Sequence, residues 1–226
     1  MNSLAQNLHE VQHLISLQTV PQVILIQDRQ EHDINGEFLL HHFLALQLKQ
    51  KDSKVPLIIS FQNTFNHYSQ LQRKISGRQL ERKDVDFVEA LGTPLHFPFH
   101  QHFSPERHNF ILLDRLSNAF CLEESGAVER EMILNLACTF KQAKEAGVSL
   151  LVYSCSGHSE VWDRYLGNLW NNEVGLKFLV SPLHSGGNSK DADGELECFS
   201  QQELRGKKLL FKFGANCQVA FFAKAL

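Results

Sequence analysis

The residues whose types and spacing could do chemistry lie in a few short stretches. The apolar run Val23–Ile26 is followed by Arg29-Gln-Glu-His-Asp-Ile-Asn-Gly36-Glu37-Phe38. A strand-to-helix loop at this place is where a P-loop puts Gly-x-x-x-x-Gly-Lys-Ser/Thr. There the amides cradle phosphate, the lysine neutralises it and the hydroxyl holds Mg²⁺. Here Asn35 and Gly36 are followed by Glu37 at the lysine position and Phe38 at the hydroxyl position. A carboxylate beside a triphosphate reverses the sign of the interaction, and a phenyl ring cannot ligate magnesium. Farther on, Phe110-Ile-Leu-Leu-Asp114 has the Walker-B form of an apolar strand ending in a carboxylate. That signal is weak alone, because many buried strands end in Asp for capping or turn reasons.

Other polar groupings invite sharper chemistry. His96, His100, His102 and His108 have metal-ligand character. However, Pro94, Pro98 and Pro105 break any helix that would align them, and no nearby carboxylate or Cys completes a set. They are expected to be loop histidines. His41 and His42 are adjacent, about 100° apart on a helix, so packing is expected rather than shared ligation of one ion. Ser154-Cys-Ser-Gly-His158 lacks the flanking glycines of a nucleophile elbow. Arg73, Lys74, Arg78, Arg82 and Lys83 form the densest run of cations. They suit either a solvated helix end or contacts to RNA phosphates. No catalytic residue, cofactor or metal is expected from these patterns.

The elements that must position these residues alternate. A helix is expected over residues 1–20, with Leu4, Leu8, Val11 and Ile15 on one stripe. The strand Val23–Ile26, the turn signal Asn35-Gly36 and a helix from Phe38 follow. The unit then repeats: strand Val55–Phe61, then a helix carrying Tyr68, Leu71 and Ile75 and stopping near Gly77. Strands at Val85–Val88 and Phe110–Leu113 flank a loop, Leu95–Asn109, rich in Phe and His. Its Phe97, Phe99 and Phe103 predict a surface that a partner covers. A long amphipathic helix carries Val128, Met132, Leu136, Phe140 and Ala143, followed by a strand at Val148–Tyr153 and a helix marked by Trp162, Leu166 and Leu169. From Leu176 on the character changes: Leu176–Val180, Glu195–Phe199, Lys208–Phe213 and Gln218–Ala223 read as strands joined by turns, with a polar, Gly-rich loop at Ser185–Gly194. Alternation of strands and helices means parallel pairing with helices on both faces. The closing strands are expected to extend the sheet antiparallel. Residues 1–226 are counted as a single domain.

Composition supports an ordinary globular chain. Of 226 residues, 43% are hydrophobic and 21% charged, which excludes a disordered or fibrous protein. A formal charge of −3 excludes wholesale electrostatic capture by nucleic acid, though not a local basic patch. Five cysteines without a Cys-x-x-Cys pair point to a reducing compartment. No apolar run approaches a membrane span, and nothing at the N-terminus reads as a secretion signal.

Four segments carry a resemblance: Phe38-Leu-Leu-His-His-Phe-Leu44, Phe61-Gln-Asn-Thr-Phe-Asn-His-Tyr-Ser69, Ile111-Leu-Leu-Asp-Arg-Leu-Ser117 and Val219-Ala-Phe-Phe-Ala-Lys224. In order from about Val23 to the C-terminus, the chain resembles the sixth subunit of the Elongator complex. That resemblance implies a RecA-like three-layer α/β sandwich without Walker motifs, in agreement with Gly36-Glu37-Phe38. It implies a pseudo-ATPase, not an enzyme, that joins two paralogous RecA-like subunits, the fourth and fifth, in a hetero-hexameric ring. It further implies docking on the catalytic Elongator subcomplex, tRNA binding and a part in modification of wobble uridine 34, in the cytoplasm and also the nucleus. The alternative is a nucleotide-binding or hydrolysing ATPase with a degenerate P-loop.

Overall fold

The computed structural model describes residues 23–28, 35–49, 54–90, 97–119, 126–155, 173–183, 192–200, 203–214 and 219–223. The helices expected over residues 1–20 and around Trp162 lie outside them. The chain order begins β1 (Val23–Asp28), α1 (Glu37–Gln47), β2 (Val55–Ser60), α2 (Phe65–Ser76) and β3 (Asp86–Glu89). After the one-turn helix α3 (Phe99–His102) come β4 (His108–Asp114), a 3₁₀ turn (Leu116–Ala119), α4 (Gly126–Glu145) and β5 (Ser149–Cys155). The chain closes with β6 (Val174–Pro182), β7 (Gly194–Ser200), β8 (Glu203–Phe213) and β9 (Val219–Ala223).

The strands form one sheet in the order β3-β2-β4-β5-β1-β6-β7-β8-β9. From β3 to β6 every pairing is parallel, and β7, β8 and β9 add antiparallel. This corrects one expectation. The strand Leu176–Val180 does not open the antiparallel extension but pairs parallel with β1, Ile24 opposite Leu176 and Asp28 opposite Val180. The physical reason is chain length. The segment between β5 and β6 is long enough for the crossover that parallel pairing requires, whereas the later connections are short.

Period-two alternation sends the strands' side chains into two cores. Ile24, Ile26, Ile58, Phe110, Leu112, Leu151 and Tyr153 pack with Leu40, Phe43 and Leu44 of α1 and Tyr68 of α2. Val23, Leu25, Leu57, Ile59, Ile111, Leu113, Leu150 and Val152 pack with Leu136, Phe140 and Ala143 of α4. The inner strands β1, β2, β4 and β5 therefore each carry a continuous apolar run, and the sheet is a middle layer. α2 is bounded as its sequence predicts. The Thr64 hydroxyl accepts from the His67 amide at the start, and Gly77 ends the helix at φ 73°, a left-handed conformation that favours glycine.

The Phe-rich loop is the second correction. Phe97 and Phe99 are buried in the α4-side core, with ring centroids 5.5 and 6.1 Å from that of Phe61. Phe103 is half-buried and stacks on His108. Pro98 does not exclude a helix: as the residue before α3 it lets the chain turn inward, and the aromatic side chains fill the sheet's own face. Among the described residues, no helix is long and apolar enough to cross a membrane.

Candidate functional site at the carboxyl ends of the parallel strands

In open parallel sheets, ligands bind beyond the carboxyl ends of the strands, where helix N-termini converge. Here Asp28 ends β1, Ser60 ends β2, Asp114 ends β4 and Tyr153 lies near the end of β5. The N-terminal parts of α1 and α2 bring Glu37, His41 and His67 to the same edge.

The Asn35-Gly36 turn leads straight into α1. Gly36 is the N-cap of α1, and the Asn35 side-chain oxygen accepts from the Glu37 amide at 3.1 Å. The Gly36 amide, the donor a phosphate-binding loop would offer to its ligand, donates at 2.7 Å to Asp28 Oδ1 in a buried bond. Gly36 has ordinary φ, so its need is space. A Cβ there would stand 2.6 Å from Ile26 Cγ2 and 3.1 Å from Asp28 Oδ1. Asp28 Oδ2 accepts at 2.6 Å from the Tyr153 hydroxyl. The Arg115 guanidinium lies over the Tyr153 ring at 4.6 Å and 3.9 Å from Asp28 Oδ2. Arg115 reaches this position from a left-handed backbone, φ 54°, immediately after β4. An internal carboxylate, itself held by a phenol and a guanidinium, thus takes the amide at the head of α1.

The Walker-B-like Asp114 is fully buried. Its Oδ2 accepts from the Ser60 hydroxyl at 2.7 Å and the Asn63 amide at 3.1 Å. Burial pushes its carboxyl up. The Ser60 bond opposes that push, the charge of Glu37 adds to it, and the net displacement is upward. Burial and the same Asp114 also raise the Tyr68 hydroxyl well above its usual value. Asp114 is a dry structural acceptor with no surface exposed to a solvent cation.

Glu37, at the lysine position of the motif, faces histidines. Its Oε1 lies 2.8 Å from His67 Nε2, 3.5 Å from His41 Nε2 and 3.2 Å from Asn63 Nδ2. Burial would raise this carboxyl, but the two imidazoles outweigh it and bring the value down to about 2. Phe38, at the hydroxyl position, packs its ring 5.1 Å from Phe211 and 5.4 Å from Phe213. It joins α1 to β8. His42 is half-buried and its pKa is lowered to about 4, by burial first and by Lys49 second.

The basic run begins in the last turn of α2 and continues beyond it. Arg78 pairs with Asp84 at 2.6 Å, Lys83 with Glu81 at 2.6 Å, and Arg82 approaches Glu89 at 3.9 Å while covering the Phe65 ring. Arg73 and Lys74, in the last turn of α2, are exposed and in no ion pair among the described residues. In the histidine loop, His108 is buried, bonded at Nε2 to Asp86 (2.9 Å) and at Nδ1 to the Ser104 amide (3.0 Å). His102 stacks on Phe97, and burial lowers its pKa. His96 and residues 156–158 of the Ser154–His158 stretch lie outside the described residues; Ser154 is buried.

Asp28, Arg115, Tyr153 and His67 were not singled out by sequence. Asp28 had a signal, an acid ending an apolar strand in the manner of Asp114. The other three join the site through contacts far apart in sequence.

The chain is similar in structure to a KaiC-like protein from the hyperthermophilic archaeon Pyrococcus horikoshii. The TM-score is 0.57 at 10% sequence identity, over 90% of each chain. At that identity the likeness shows the fold, a RecA-like α/β sandwich. Comparison with curated protein sequences gives no match. The family model described as Elongation complex protein 6 matches residues 10–156. The match spans most of the chain, from ahead of β1 through β5. It contains Gly36-Glu37-Phe38, the His41-His42 pair, the Asn66-His67-Tyr68 segment and Asp114. This chain belongs to the Elongation complex protein 6 family.

Proposed function

We propose that this chain is a non-catalytic subunit of the Elongator complex: a pseudo-ATPase that works by assembly and by helping to hold tRNA. The observation that carries the reading is the bond from the Gly36 amide to Asp28. A phosphate entering there would meet Asp28 and Glu37 with no lysine between them. Two like charges at such range in a poorly hydrated site cost several kcal/mol, by order of magnitude. Phe38 and the enclosed Asp114 supply no magnesium ligand in place of the missing hydroxyl. With that chemistry gone, the RecA-like frame serves as a ring subunit beside two paralogous chains, the fourth and fifth Elongator subunits. The assembled hetero-hexamer binds tRNA and supports wobble uridine 34 modification by the catalytic subcomplex, in the cytoplasm and also the nucleus. Arg73 and Lys74 are the best placed of the basic run for phosphate contact, because Arg78, Arg82 and Lys83 already face carboxylates.

The test is native mass spectrometry after co-expression with the two paralogous subunits, with and without tRNA. A hexamer holding two copies of each chain and gaining the mass of tRNA is expected. A monomer or homo-oligomer indifferent to both would overturn the ring reading. Magnesium-dependent ATP turnover by the purified chain, abolished by Asp114→Ala, would overturn the pseudo-ATPase reading.

A further inference from the structure

The geometry points to a transition-metal site, of the zinc class, formed by Glu37 Oε1, His41 Nε2 and His67 Nε2 across the facing N-terminal parts of α1 and α2. These three ligand atoms lie within 4.8 Å of one another. Glu37 and His41 are one helical turn apart, which places both on one side of α1. His67 reaches them from α2.

The distances suit an ion. Ligand atoms on a tetrahedral zinc, with bonds of about 2.0–2.1 Å, stand about 3.3–3.5 Å apart. Glu37 Oε1 and His41 Nε2 are already 3.5 Å apart. Glu37 Oε1 and His67 Nε2 are 2.8 Å apart, the separation of a hydrogen bond whose proton an ion would replace. The required opening of about half an ångström falls on His67, whose side chain is 42% exposed and free to swing.

The second observation is independent of those distances. His41 is 1% exposed, yet neither of its ring nitrogens makes a hydrogen bond. Its ring packs beside Tyr68, with centroids 4.7 Å apart, so the side chain is held in place. Buried polar nitrogens are nearly always satisfied, and an orphan aimed at a carboxylate and a second imidazole is a ligand geometry. Two imidazoles and one carboxylate favour zinc, cobalt or nickel over magnesium or calcium, which prefer all-oxygen sets. The half-exposed His67 gives the ion a route in. Three protein ligands leave one position open for water or for a side chain of a neighbouring subunit. Binding needs neutral imidazoles and an ionised carboxylate, so it releases protons and weakens as pH falls.

The experiment is a cobalt(II) and zinc titration of the purified full chain after chelator treatment and desalting. Visible d–d absorption reports tetrahedral cobalt, and competition with a chromophoric chelator reports zinc affinity. One ion per chain is expected, with cobalt bands that zinc abolishes. Glu37→Gln and His67→Ala should each weaken binding by at least about tenfold, whereas His102→Ala should leave it unchanged. Thermal unfolding of each variant is followed by circular dichroism. Zinc should raise the midpoint of the parent chain and of His102→Ala, and not that of the other two. His67 is exposed enough that its removal should leave a folded chain even where Glu37→Gln does not. Binding that survives His67→Ala in a folded chain, or is lost with His102→Ala, overturns the assignment. So does the absence of stoichiometric binding at micromolar metal.

Discussion

The two ends of α2 carry opposite kinds of charge and treat them differently. At its N-terminal end, Asp28, Glu37 and Asp114 are carboxylates withdrawn from solvent and met by internal donors: the Gly36 amide, Tyr153, Ser60, Asn63 and His67. At and beyond its C-terminal end, Arg73, Lys74, Arg78 and Lys83 are exposed, and only part of the set is answered by neighbouring acids, while Arg82 folds back over Phe65. The buried end sits where a RecA-like fold can bind phosphate, but its sign is wrong for phosphate. The exposed end has the right sign and no enclosure. The difference teaches that the strand ends of this fold can be filled by carboxylates held internally while cations stay on the surface. The Gly36 amide, which a phosphate-binding loop would offer to its ligand, is given an internal acceptor in Asp28.

The largest expected break in that comparison is Asp28→Ala. It removes a carboxylate that accepts buried bonds from Gly36 and Tyr153 and leaves both donors without it, a cost of about 3 kcal/mol or more. Urea unfolding should show the loss as a lower midpoint at unchanged slope. A change below about 0.5 kcal/mol would mean that the Gly36 amide does not depend on Asp28.

A smaller effect is tied to pH. The folded-state value of Glu37, about 2, lies below its ordinary 4.5. Its contribution to stability is therefore complete above about pH 4.5 and is lost as pH falls through about 2, by at most about 3 kcal/mol. In chelator-treated protein, Glu37→Gln should flatten this acid limb of the stability curve. An unchanged limb would show that the histidines do not hold the charge.

The smallest effect on stability is expected at the other end of the helix. Arg73→Glu with Lys74→Glu should change stability by no more than about 0.5 kcal/mol, as for exposed charges. The same pair should weaken tRNA binding by the assembled ring several-fold and reduce the salt dependence of binding by about two phosphate contacts. Arg78→Ala is the control, because its guanidinium is already paired with Asp84. A ring that binds tRNA equally well with both charges reversed would remove α2 from the RNA surface and leave the contrast one of stability alone.

Much of the fold was legible in the sequence because burial on both faces makes parallel strands into continuous apolar runs. Val23–Ile26, Phe110–Leu113 and the strand ending at Tyr153 announce themselves in that way, and Gly77 stops α2 where a left-handed residue is needed. The departure at Glu37 and Phe38 from a P-loop was equally plain, being a matter of residue type at known spacing. The direction of β6 was not legible in its own apolar run, which has the same composition whether it pairs parallel or antiparallel; the signal lay in the length of the segment ahead of it. Nor was the inward path of Phe97 and Phe99, since a loop's aromatic residues look the same whether the chain folds them under or leaves them out.

What the sequence determined by itself, then, is the set of local preferences: strand and helix periods, the helix stop at Gly77, and the absence of a lysine and a hydroxyl where phosphate chemistry needs them. What only the tertiary structure decided is which groups meet. Asp28 and Tyr153 stand 125 positions apart in the chain and share one hydrogen bond. His67 joins Glu37 across 30 positions. Arg115 turns through a left-handed backbone to lie over Tyr153. The physical reason is that periodicity encodes which face of an element is buried, whereas a hydrogen bond or a ligand set depends on distances of a few tenths of an ångström. Those distances exist only after parallel pairing has brought the carboxyl ends of β1, β2, β4 and β5 to one edge of the sheet.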